Sequence, residues 1–90
     1  MVFFEHENRS RLVVGMGGME SVLTFVDERE RSYHSLGDRY RTGTMAFLCR
    51  GQRDDFLQEM AVPEPLAIEA ALEFLETGTR PSGIEWEADW

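Results

Sequence analysis

Between Val62 and Thr77, apolar residues recur at spacings of three and four. Ile68, Ala71, Leu72 and Leu75 share one face, and Ala67, Ala70 and Phe74 widen it, so the spacing predicts an amphipathic helix packed through that face. Glu69, Glu73 and Glu76 fall on the other side. Like charges at this spacing repel by a few tenths of a kcal/mol per pair, so the helix carries an acidic stripe at a small local cost. Pro65 suits the first helical position, which makes Glu64 the expected N-cap. Gly78 suits the left-handed residue after the last turn, and Pro81 prevents a restart.

Upstream the pattern is that of strands. Val2-Phe3-Phe4 reads as a short edge strand and Arg11 to Val14 as a second, broken by Gly15-Met16-Gly17-Gly18. Met19 to Val26 is the strongest, with Val22, Thr24 and Val26 pointing one way and Leu23 and Phe25 the other. Asp27 to Glu30 is a charged turn returning into Arg31 to Leu36, so the two segments form a hairpin. Thr44 to Arg50 and Arg53 to Met60 read as the next strand pair, joined at Gly51-Gln52, and Gly83 to Glu87 reads as a last strand carrying Trp86. A meander of strands followed by one helix predicts an α+β fold. Its antiparallel sheet has roughly five or six strands, with the C-terminal helix laid on one face. The 90 residues make one domain, residues 1–90, with no repeat or linker. A helix is about 10–12 Å wide with its side chains and strands lie about 4.8 Å apart. One helix therefore covers two or three strands. Apolar sheet surface left over is closed by sheet curvature, by a second copy in a homodimer, or by a partner.

Charge sharpens the picture. The net charge is -8, and it is unevenly placed: residues 1–53 hold eight Arg and seven acids, residues 54–90 ten acids against Arg80 alone. That negative field repels nucleic acid and anionic membranes and speeds encounter with basic protein surfaces. No apolar run approaches the ~20 residues of a membrane span. Met1 to Glu7 has neither a basic start nor a long apolar stretch, so no signal peptide is expected. The lone Cys49 can form no internal disulfide, and nothing points to export.

The chemistry of an active site is not apparent. The glycines at 15, 17 and 18 lack a following Gly-Lys-Ser/Thr and precede a strand, which favours a hairpin turn over a phosphate loop. His6 and His34 have no metal-ligand spacing, and Cys49 reads as a small strand residue, although either histidine could approach it in space. Asp54 and Asp55 are neighbours whose side chains would point apart, which suits paired catalytic carboxylates poorly. No nucleophile elbow is present. No catalytic residue, metal or cofactor is expected. Tyr33, Tyr40, Trp86 and Trp90 could stack on bases, but the acidic balance favours protein contacts for them. Trp86 also reads as a lid over the helix end, packed against Leu75 or Pro81.

The run Val62-Pro63, then Ala70-Ala71-Leu72-Glu73-Phe74-Leu75-Glu76-Thr77-Gly78-Thr79-Arg80-Pro81, then Glu85-Trp86, resembles the C-terminal signature of the first-numbered family of bacterial immunity proteins (Imm-one). There a Val-Pro lead-in precedes an Ala- and Leu-rich helix, a Leu-x-x-Gly-x-Arg-Pro stop and a short strand ending in Glu-Trp. Ser32 to Asp38 is similar to that family's hairpin return, and Phe47 to Phe56 to its next strand pair. The likeness spans residues 11–87; against the family the chain is short at its N-terminus. The resemblance implies a non-enzymatic cytoplasmic antitoxin that binds a cognate toxin. It further implies that the toxin is a cytidine or DNA-cytosine deaminase domain, and that the antitoxin blocks its active site or substrate groove. The expected contacts are Asp54, Asp55, Glu69, Glu73 and Glu76 as charges and Tyr33, Tyr40 and Trp86 as anchors, with the open sheet face as a rival surface. The alternative is an acidic DNA mimic or regulator that binds a basic nucleic-acid-binding protein.

Overall fold

A computed structural model of the chain describes residues 2–16, 20–37, 43–49 and 52–89, with side chains for all of these except 2, 16, 44–49 and 52–57. In chain order the elements are β1 (Val2–Glu5), β2 (Arg11–Met16), β3 (Glu20–Val26), β4 (Ser32–Leu36), β5 (Thr44–Cys49) and β6 (Gln52–Leu57). A 3₁₀ turn (Gln58–Met60), β7 (Val62–Pro63), α1 (Glu64–Thr77) and β8 (Glu85–Ala88) follow. The fold is α+β: an antiparallel sheet in the order β1-β2-β3-β4-β8, with β7 paired to β3, and the helix on one face.

The meander expected from the sequence accounts for β1 to β4. The rest departs from it in two ways. β5 and β6 pair only with each other among the described residues, as a separate two-stranded hairpin. β8 returns across the sheet to pair with β4, with Trp86 opposite Ser35. β2 continues through Gly15 to Met16, because strand pairing with β3 overrides the expected break there. The antiparallel register up to Met16 opposite Ser21 bears out a hairpin connection; residues 17–19 lie outside the described residues.

Alternation along the strands sends Leu12, Val14, Leu23 and Phe25 to the helix side, where they meet Val62, Ala67, Ala70 and Phe74 in the main core. Phe74 and Leu23 are fully buried. Phe74 packs edge-on against Phe25 at 6.0 Å and against His6 at 6.1 Å. A smaller cluster of Val22, Met60 and Ala61 fills in where the chain returns after the 3₁₀ turn. There Gly37 N–H donates to the Glu59 carbonyl at 2.7 Å, and a Cβ at Gly37 would sit 1.8 Å from the Ala61 oxygen. Only glycine lets the two backbones approach so closely.

Pro63 takes the N-cap position and Glu64 starts the helix, one residue earlier than the sequence suggested. The strand pairing of Val62 and Pro63 with β3 delivers the chain directly into the first turn. At the other end Gly78 is left-handed, at φ 69°, and its N–H donates to the Phe74 carbonyl. The Gly78 carbonyl accepts hydrogen bonds from Asn8 Nδ2 at 3.0 Å and Ser10 Oγ at 2.7 Å. The turn between β1 and β2 is thus a latch for the helix C-terminus.

The β3–β4 turn is closed by Asp27. Its carboxylate accepts hydrogen bonds from the Arg29 and Arg31 amides, both at 2.9 Å, and from Arg31 Nε at 2.8 Å. Desolvation, the largest single influence, pushes the carboxyl upward. The hydrogen bonds from Arg31 and Arg29 and the Arg31 charge outweigh it and hold Asp27 below 3.8. A depressed carboxyl contributes stability that is present above its unfolded value and lost as pH falls through the folded one. Asp27→Asn should therefore lower the melting temperature at pH 7, with the gap closing as pH drops below about 4, followed by thermal melts across pH. Gly78→Ala meets both the positive φ and a Cβ contact of 2.5 Å with His6 Nδ1. It should cost about 1–3 kcal/mol in urea unfolding from the backbone alone, and less in total in a His6→Ala background than in the native one.

Candidate interaction surface

At about 100° per residue, the helix divides into three longitudinal zones. Ala67, Ala70 and Phe74 face the sheet and are buried. Next to them Ile68, Leu72 and Leu75 stand in a row at 47%, 62% and 51% exposure. Beyond that row come Glu69 and Glu76, both exposed, and Glu73. The residues expected to be the packed face are thus mostly the uncovered ones, and the flanking alanines are the packed ones. The reason is steric: small side chains let the helix backbone lie close to the strands. Once Phe74 is inserted between Phe25 and His6, the larger aliphatic residues point past the sheet.

The uncovered row forms one wall of a groove of about 240 Å³, with Ala67 and Ala71 at its base and Phe4 and Val14 as its floor. Its lining is entirely apolar, and Phe4 belongs to the outermost strand of the sheet. Burying a large aliphatic side chain stabilises by about 1.5–3 kcal/mol. Three such residues held side by side in solvent are what a partner surface would cover. A second, larger recess of about 490 Å³ lies near the helix start, lined by Leu66, Pro63 and Ile84 with Glu20 and Glu85, and it is more polar.

The residues anticipated as contacts divide by what they touch. Glu69 and Glu76 stand beside the apolar row and have no ion pair among the described residues. Glu73 accepts hydrogen bonds from Ser82 N at 2.7 Å and Ser82 Oγ at 3.0 Å, so it holds the turn leading to β8. Tyr33 is half-buried against Phe25, with the Arg80 guanidinium 4.6 Å from its ring centroid. Trp86 packs on Phe25 at 6.3 Å and donates from Nε1 to the Pro81 carbonyl at 2.8 Å, as the lid reading expected. Asp54 and Asp55 occupy successive positions of β6, opposite Phe47 and Ala46; their side chains lie outside the described residues, as does Tyr40. The spacing of Ile68, Leu72 and Leu75 does not mark them as contacts, because it is also that of a core face. The adjacent stripe Ala67, Ala70 and Phe74 was the signal that could have separated the two.

On the other face of the sheet, Ser32, His34 and Asp89 come together. Ser32 Oγ donates to Asp89 Oδ2 at 2.8 Å and His34 Nδ1 contacts Asp89 Oδ1. A hydrolytic triad needs the histidine between carboxylate and hydroxyl. Here the carboxylate stands between the other two, so the trio ties the end of β8 to β4 and forms no proton relay. No group of three or more metal-binding side chains occurs among the described residues. No helix among them is long and apolar enough to cross a membrane.

An apolar groove thus lies beside an acidic stripe on a small α+β scaffold. The chain belongs to the family described as Immunity protein Imm1, whose model matches residues 3–88 and so takes in all of α1 and nearly all of the sheet, including β1 from Phe3 onward. It is an immunity protein, and the family implies a cognate toxin as partner. No curated protein matches the chain.

The division of the helix is directly measurable. Phe74→Ala should lower stability by about 3–5 kcal/mol, and Leu72→Ala should change it by less than about 0.5 kcal/mol, in matched urea titrations. Equal losses would return Leu72 to the core.

Proposed function

We propose that this chain neutralises its toxin by direct, non-catalytic binding in the cytoplasm, as one domain. The toxin would act on nucleic acid as a cytidine or DNA-cytosine deaminase domain. One juxtaposition carries this reading: the exposed row Ile68, Leu72 and Leu75 lies next to the exposed carboxylates of Glu69 and Glu76. Apolar residues give such an interface its affinity, and the charges beside them select a basic partner and speed its capture. A domain that handles nucleic acid carries a basic substrate groove. The net charge of -8, concentrated in residues 54–90, is complementary to it. Asp54 and Asp55 belong to the same acidic stretch of sequence, while Glu73, Tyr33 and Trp86 hold the helix and β8 in place.

The experiment is to co-express the chain with the protein encoded immediately upstream, then measure affinity and residual deaminase activity. Nanomolar binding with loss of activity is the expected outcome. Glu69→Arg with Glu76→Arg should slow association about tenfold at low salt and much less at high salt. An unchanged on-rate would remove the helix from the interface. Binding to a nucleoid or regulatory protein, with no effect on any toxin, would favour a DNA mimic instead.

A further inference from the structure

β1 is an end strand of the sheet, with no described strand on its outer side. His6 N–H donates to the Ser10 carbonyl at 2.9 Å, and β1 pairs with β2 in the register that continues this match. Bonded and non-bonded pairs alternate along an antiparallel ladder. Phe4 and Val2 are therefore bonded to β2, and the N–H and C=O of Phe3 and Glu5 point outward, away from the sheet. The same edge carries the apolar groove: Phe4 is its outermost floor residue, and Leu72 and Leu75 stand above it. An extended segment laid along β1 would complete the outward hydrogen bonds and send every second side chain into the groove.

We infer that β1 is a docking edge for an extended segment of the toxin, with apolar residues at alternate positions and Arg or Lys between them. This rests on the toxin-binding reading above. The charges select the occupant. Glu5 is exposed on β1, on the side of the sheet away from the helix, and Glu69 and Glu76 border the groove above. A basic residue opposite Glu5 gains a cross-strand pair. A second copy of this chain would instead bring Glu5 and a net charge of -8 against their own kind.

Phe3→Pro removes one outward donor and leaves the bonds to β2 intact, since proline is accepted on edge strands. Phe3→Thr keeps the donor and serves as its control. With the toxin domain, Phe3→Pro should weaken binding by about ten- to a hundredfold and Phe3→Thr by much less. The Phe3 and Glu5 amides should become protected from hydrogen exchange in the wild-type complex; this second readout decides the matter if the proline variant does not fold. Full-affinity binding by a folded Phe3→Pro, or unprotected amides in the complex, overturns strand addition while leaving the immunity function standing. If the toxin does not bind at all, that functional reading fails, and a synthetic peptide of alternating Val and Arg decides the edge. Saturable binding lost in Phe3→Pro supports it, and no binding overturns it. A homodimer of the free protein that Phe3→Pro dissolves would also overturn the assignment, because the edge would then belong to a second copy.

Discussion

The structure depends on the insertion of one aromatic ring. Phe74 is fully buried between Phe25 of the sheet and His6 of the first turn. The remaining core-facing positions of the helix, Ala67 and Ala70, are too small to hold it alone. The ring fixes the helix's rotation about its own axis. The Gly78 carbonyl, held by Asn8 and Ser10, fixes its position along that axis. With both set, the fate of every other helical residue follows: Ile68, Leu72 and Leu75 must point beside the sheet, and Glu69 and Glu76 beyond them.

That geometry makes the apolar groove a by-product of packing. A helix centred on its bulkiest aliphatic residues would have a larger core and no groove. By resting on alanines, the protein forgoes some burial in its own fold and leaves Ile68, Leu72 and Leu75 in solvent. The outer aromatic residues serve the same arrangement. Trp86, tied to the Pro81 carbonyl, and Tyr33, beneath Arg80, close the sheet around Phe25 and anchor β8 and the turn after the helix.

Much of this was legible in the residues. Gly78 and the strand-like runs of Leu12 to Val14 and Leu23 to Phe25 announced a helix stop and a meander, because caps and alternation are local signals. The Val-Pro lead-in and the Glu-Trp strand carried the family likeness. The rotation of the helix was not legible, since both Ile68-Leu72-Leu75 and Ala67-Ala70-Phe74 satisfy the helical period. Choosing between them requires knowing how near the sheet lies. The outward groups of Phe3 and Glu5 were hidden for a similar reason: a strand's free edge exists only once its partners are assigned. Nor could spacing reveal that Glu73 is occupied by Ser82, nine residues on.

The latch between Asn8, Ser10 and Gly78 also shapes how the protein comes to be folded. It joins residues about seventy positions apart, and Leu12, Leu23 and Phe25 find their cover only in residues 67–74. A chain growing from the ribosome presents the first strands long before that cover exists. The apolar face of β2 and β3 is then without its helix, and the closing contacts are of the slow, non-local kind. The helix must therefore be made before the face of β2 and β3 can be covered, so the protector folds only once residues 67–78 are available.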